Sequence, residues 1–232
     1  MRLLLTRPPM ARLLLAALLL IGSAAILAAC SGTGDVAVLK TTLVTWAGAD
    51  GATAGQVIVS VRNDGDEPID PDVLGDDRLT LAQLRGPGGE EIPGGDARVQ
   101  LHAVPHILDP GEAGYLIGEF EIVQPAERIV DARVEVNARP TDSREPVSVE
   151  GFQLVELAEG LGGAGRLAWG GLGTAVARVI ALDADGNVLG YLATSQVLYA
   201  PGDFTMCCFP PTVDLASIDE VIAFGDQARG GN

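Results

Sequence analysis

Turn chemistry recurs at short intervals along this 232-residue chain, and that most restricts what it can fold into. Asn63-Asp64-Gly65, Gly86-Pro87-Gly88-Gly89, Pro110-Gly111-Glu112, Asp183-Ala184-Asp185-Gly186-Asn187 and Pro201-Gly202-Asp203 each carry residues that tight turns need. Between such turns lie apolar runs of strand length. Residues 36–46 are rich in β-branched side chains. Gln56-Val57-Ile58-Val59-Ser60-Val61-Arg62 alternates apolar and polar, and 79–84, 115–122 and 129–136 continue the series. No window offers a convincing amphipathic helix. With 30 glycines and 14 prolines the chain is punctuated too often for helices and suits many short strands. The expected class is all-β.

Residues 36–139 have the size and strand density of one immunoglobulin-like sandwich. Residues 140–146 are polar, with proline at both ends, and read as a linker. Further strand candidates at 147–157, 174–182, 188–199, 204–209 and 218–224 make residues 147–227 a second sandwich, with 228–232 as a tail. The two blocks look like repeats. Pro110 and Pro201 open their Pro-Gly-acid turns 91 residues apart, and Ile129 and Ile218 open later strands 89 apart. Two tandem immunoglobulin-like β-sandwiches are therefore expected. Within the second, Val179-Ile180-Ala181-Leu182-Asp183-Ala184-Asp185-Gly186-Asn187-Val188-Leu189-Gly190 resembles the FxLYD domains of bacterial lipoproteins. Asp183 and Gly186 stand where that family has its Asp and turn Gly, while Val179, Ala181 and Leu182 replace the name-giving Phe, Leu and Tyr. The resemblance implies a β-sandwich without a defined catalytic role.

Ahead of the first strand, Arg2, Arg7 and Arg12 precede an apolar run from Leu13 to Ala29, small residues and a lone Cys30. A polar stretch, Ser31-Gly32-Thr33-Gly34, follows. This is the architecture of a secretory signal. Leu27-Ala28-Ala29-Cys30 resembles the lipobox of bacterial lipoproteins. The resemblance implies cleavage of residues 1–29, thioether lipidation of Cys30, acylation of the new amino terminus, and a tether over 30–35. Several acyl chains hold a protein firmly where one does so only marginally. The alternative is an uncleaved membrane helix, for which a run of 17 residues is at the short limit. The expected location is extracytoplasmic, with the membrane as partner through lipid at Cys30. That membrane is the outer one where the cell has one, and otherwise the plasma membrane on its outer face.

Without the three leader arginines, 12 basic residues face 31 acidic ones, a net charge of −19. Such a surface repels nucleic acid, which is excluded as a partner. The densest acidic stretch makes Asp64, Asp66, Asp70 and Asp72 candidate Ca²⁺ ligands, with Asp76 and Asp77 beyond them. The competing reading is a solvated acidic loop. Asp183 to Asn187 resembles half a Ca²⁺-binding loop, but Thr194 stands where the closing Glu is needed, so a turn is expected. His102 and His106 have a spacing that suits Zn²⁺ on a helix face, which Pro105 denies.

Gly160-Leu161-Gly162-Gly163-Ala164-Gly165 satisfies a dinucleotide-binding pattern, but Trp169-Gly170-Gly171-Leu172-Gly173 interrupts the helix that pattern requires. A flexible inter-strand loop is expected there instead. Cys207-Cys208 leaves three states open: a vicinal disulfide, two reduced thiols, or an intermolecular bridge. Ser195 and Ser217 lack a nucleophile-elbow setting. No catalytic residue and no cofactor is assigned. The functional expectation is a lipid-anchored, non-catalytic binding or scaffolding protein of the cell envelope. It would meet an envelope protein through the loops at 64–77 and 160–173. The alternatives are a carboxylate-based envelope hydrolase, needing two carboxylates roughly 5–9 Å apart, and a Ca²⁺-dependent surface adhesion module.

Overall fold

The computed structural model describes residues 36–48, 51–71, 80–94, 97–123, 125, 128–170, 173–194 and 197–227. The leader, Cys30, the tether, the tail, Asp72, Asp76 and Asp77 lie outside the described residues. Strands dominate, and no α-helix occurs among the described residues. The first half holds β1 (Val36–Ala47), β2 (Thr53–Asn63), β3 (Ile69–Asp70), β4 (Leu81–Arg85), β5 (Arg98–Gln100), β6 (His102–Val104), β7 (Ala113–Ile122), β8 (Asp131–Glu135) and β9 (Arg139–Pro140). The second holds β10 (Ser148–Leu157), β11 (Gly160–Ala168), β12 (Ala175–Leu182), β13 (Val188–Ala193), β14 (Gly202–Met206) and β15 (Glu220–Gln227).

Each half is a sandwich of two antiparallel sheets, and the two halves share one pairing plan. The first has sheets ordered β1-β2-β7-β6 and β5-β4-β8, and the second β10-β11-β14 and β13-β12-β15. In chain order, β1, β2, β4, β5, β7 and β8 correspond to β10, β11, β12, β13, β14 and β15; β3, β6 and β9 are additions, β3 and β9 pairing as a separate two-stranded sheet. Both Pro-Gly-acid turns feed equivalent strands, β7 and β14, which pair with β2 and β11. The strands that follow, β8 and β15, pair with β4 and β12.

Alternation along β2 explains where the cores lie. Val57, Val59 and Val61 point into the first sandwich and pack with Leu84, Val99, Leu116 and Phe120. Ile58 points the other way and is equally sealed. With Val104 and Ile117 it packs on Ile180, Leu182 and Val188 of the second sandwich, making a middle core between the halves. In β12, Ala177, Val179 and Ala181 face the second sandwich's own core with Phe204, Met206 and Phe209. Four sheets are thus stacked with three apolar layers between them, and the two sandwiches form one compact unit.

The expected linker differs accordingly. Arg139–Pro140 is β9, paired with β3, and Val147 bridges Gly225. Between them Arg144 forms an ion pair with Glu112 of the first half, and Glu145 accepts a 3.1 Å hydrogen bond from Gln227 of the second.

The glycine-rich stretch expected as a flexible loop is β11, the central strand of its sheet. A two-residue turn at Ala158 and Glu159 joins it to β10. Its glycines are required by close approach rather than by flexibility. A Cβ on Gly163 would strike the Phe152 ring, one on Gly162 would come within 2.8 Å of Leu157 Cδ1, and one on Gly165 within 3.1 Å of Phe204 Cζ. The expected strand at 188–199 stops at Ala193, and the short β5 and β6 were not expected from the sequence.

Candidate functional site

Polar side chains interrupt the middle core at three places, and each ties one sandwich to the other. Gln56 on β2 is 3% exposed. Its Nε2 donates to the Tyr191 carbonyl at 3.0 Å, and its Oε1 accepts from the Tyr191 N–H at 3.0 Å. Tyr191 lies on β13, an edge strand, so this side-chain amide satisfies peptide groups that a neighbouring strand would otherwise pair. Nε2 also donates to Glu119 Oε1 at 3.0 Å, which fixes that carboxylate on β7. Arg178 Nη1 on β12 donates to the carbonyl of Ala103 at 2.8 Å. Asp226 on β15 has a side chain with no exposed surface; its Oδ2 accepts the backbone N–H of His106 at 2.9 Å, and its Oδ1 pairs with His106 Nδ1.

Beside these ties a cleft of about 550 Å³ opens between the sandwiches. Gln100, His102, Ile117, Gly118 and Glu119 line it from the first half, and Arg178, Tyr191, Leu192, Ala193, Cys207 and Cys208 from the second. Cys207 and Cys208 follow the end of β14 and are joined as a vicinal disulfide across a cis peptide. Strand geometry would have sent the two side chains to opposite faces, and the pair lies just past it. The segment is seated by buried Phe209, whose N–H donates to the Leu161 carbonyl at 2.8 Å.

The cleft has a defined charge pattern. Glu119 and Arg178 both line it, yet among the described residues neither forms a salt bridge. Burial pushes the Tyr191 phenol up to about 12; Arg178 pulls against that shift, while Glu119 and Asp226 add to it. At neutral pH the phenol is therefore an uncharged hydrogen-bond donor. Beside the charges the lining is mixed, with Ile117 and the disulfide as its apolar part and Gln100 and His102 as further polar groups.

The chain matches no family model, no curated protein and no solved structure.

The residues singled out from sequence lie mostly elsewhere. Asp64 forms an exposed 2.5 Å ion pair with Arg62, whose hydrogen bond holds its carboxyl below the usual range. Asp66 sits in an exposed turn, and Asp70 is in β3 opposite Arg139. Asp72 lies outside the described residues. Among the described residues no three His, Cys, Asp or Glu side chains gather to hold a metal ion.

Asp183 closes its own turn. It accepts from the N–H groups of Asp185 and Asn187 at 3.0 and 2.7 Å and from Asn187 Nδ2 at 3.0 Å. The bonds from Asn187 lower its carboxyl pKa. The two histidines diverge: His102 lines the cleft and His106 turns to Asp226. Sequence reasoning missed Gln56, Glu119, Arg178, Tyr191 and Asp226, which come from five separated strands. The only local signal was a polar residue set in an otherwise sealed apolar run, as at Gln56 and Arg178.

Proposed function

We propose that this chain is a lipid-anchored, non-catalytic binding protein of the bacterial cell envelope that takes its ligand in the cleft between the two sandwiches. The observation that carries the reading is the cleft itself. It has the volume of a small-molecule site, and a few polar groups converge on a partly apolar wall. The buried amide of Gln56 sets two of those groups, Glu119 and Tyr191, on a rigid double-sandwich frame. Glu119 is the one carboxylate among the described lining residues, where a two-carboxylate hydrolase needs a pair, and this favours binding over hydrolysis. A protein-docking loop at 160–173 is withdrawn, because most of it is the central strand β11.

A thermal-shift screen of the full chain against amino acids, dipeptides, sugars and inorganic cations tests the cleft. A ligand at about 100 times its Kd is expected to add about 2.7 kcal/mol, or about 5–11 °C in a domain of this size. Ala193 is exposed at the rim, and Ala193→Trp is expected to abolish the shift by filling the cleft. Shifts that survive Ala193→Trp unchanged would place binding elsewhere and sink the reading.

The anchor half of the proposal rests on Leu27-Ala28-Ala29-Cys30 and is tested by intact mass of detergent-extracted protein. The expected chain begins at Cys30 and carries acyl mass, and Cys30→Ala is expected to leave an unlipidated chain with its leader intact. A wild-type chain that begins at Met1 without lipid would overturn it.

A further inference from the structure

We infer that the occupant of the cleft is a small zwitterion with an apolar body: a free α-amino acid or a dipeptide bearing an aliphatic side chain. This rests on the cleft being a binding site, and deepens that reading.

The argument starts from two opposite charges that do not satisfy each other. Glu119 and Arg178 face one cleft, yet among the described residues neither is in a salt bridge. Each has a hydrogen-bond partner of its own. Glu119 is tethered by Gln56 Nε2 at 3.0 Å, and Arg178 by the Ala103 carbonyl at 2.8 Å. Glu119 is exposed and Arg178 half-buried, so both are open to solvent. A ligand that covers them displaces solvent, and a charge left without a partner then weakens its binding.

An anion answers Arg178 alone and meets the repulsion of a chain carrying a net charge of −16. A cation answers Glu119 alone and strands the guanidinium. A neutral sugar can hydrogen-bond both groups but brings no charge to pair with either. A molecule carrying an ammonium and a carboxylate answers both: the ammonium donates to Glu119, while the carboxylate accepts from the planar donors of Arg178. The Tyr191 hydroxyl, electrostatically coupled to both residues and protonated at neutral pH, is a further donor for the carboxylate. The body of the ligand is then left to the apolar part of the lining, Ile117, Ala193 and the Cys207–Cys208 disulfide, with Gln100 and His102 at its edge. A volume of about 550 Å³ admits an amino acid or a dipeptide.

The test is calorimetric titration of the full chain, extracted in detergent, with L-leucine and L-alanyl-L-leucine. Each is repeated with the amine acetylated and with the carboxylate amidated, and maltose serves as a neutral polar control. One of the two free zwitterions is expected to bind, and blocking either end is expected to weaken it by about tenfold or more. Glu119→Gln keeps an acceptor for Gln56 while removing the charge. It is expected to weaken the free zwitterion by a similar factor, leave the affinity of the acetylated form unchanged, and leave thermal stability unchanged.

Equal affinity for free and blocked forms would overturn the proposal. So would maltose binding that Ala193→Trp abolishes while neither zwitterion binds, although the cleft would then remain a binding site. If no probe, and nothing in the wider screen, binds in a manner sensitive to Ala193→Trp, both readings fall together.

Discussion

Replacing His106 with alanine is expected to cost about 3 kcal/mol of folding stability, the penalty for leaving a buried carboxyl group without its side-chain partner. Asp226 is wholly buried, and both donors the structure gives it, the N–H and the Nδ1, belong to residue 106. Truncation to alanine keeps the N–H and removes the imidazole. The buried side chain then has neither water nor the imidazole to satisfy its Oδ1. The reverse replacement, Asp226→Ala, is expected to cost less, about 2 kcal/mol. The imidazole is 15% exposed and can turn to water when its partner goes, so only the orphaned N–H of His106 remains to be compensated.

Urea denaturation of both single variants and the double variant measures this. The double is expected to cost less than the sum of the singles by about 1–3 kcal/mol, because the two side chains act as a unit. A His106→Ala loss below about 1 kcal/mol, the range of exposed pairs, would mean that water reaches Asp226. The consequence extends to the cleft. His106 follows β6 and Asp226 lies on β15, so the pair pins the same two sandwiches whose separation sets the distance between Glu119 and Arg178.

Much of the β architecture was legible because strand formation leaves a local mark. The alternation at Val57, Val59 and Val61, the stop at Asn63-Asp64-Gly65 and the repeated Pro-Gly-acid turns each act over a few residues. Asn63 is completely buried, and its side chain closes its turn with bonds to Glu67, Leu108 and Gly65, so the turn chemistry read from sequence is the chemistry that operates. Two things left no such mark. β11 reads as a loop by composition, and its strand character depends on Phe152 and Phe204 lying where side chains at Gly163 and Gly165 would be.

The middle core is the other. Ile58 breaks the alternation of β2, and the pattern alone cannot tell a sealed second face from an incidental isoleucine. A period of two says that one face is buried; it does not say what covers the other. The cleft was illegible for the same reason. Glu119, Arg178 and Tyr191 are brought together only by the packing of one sandwich on the other, and no spacing within a single strand encodes that.

Ile180 therefore separates two pictures of this molecule. If the sandwiches hung independently on a linker, Ile180 would sit on the outer face of β12, since Val179 and Ala181 already point into the second sandwich's core. Ile180→Ala would then be a surface change worth within about 0.5 kcal/mol. In the structure Ile180 is completely buried in the middle core with Ile58 and Ile117, and its loss is expected to cost about 3 kcal/mol by removing buried surface and leaving a cavity. The chain carries its own probes for this comparison. Its two tryptophans are Trp46, on β1 of the first sandwich, and Trp169, packed on the core of the second. Single-tryptophan variants, Trp46→Phe and Trp169→Phe, let each half be followed alone in urea. Both probes are expected to report one coincident transition in the otherwise native chain, and Ile180→Ala is expected to shift both together to lower urea. A shift confined to Trp169, or none, would mean that the halves fold separately. The cleft would then lose the rigid frame on which its charge pattern depends, because Ile180 pairs across the ladder with Tyr191 and backs its wall.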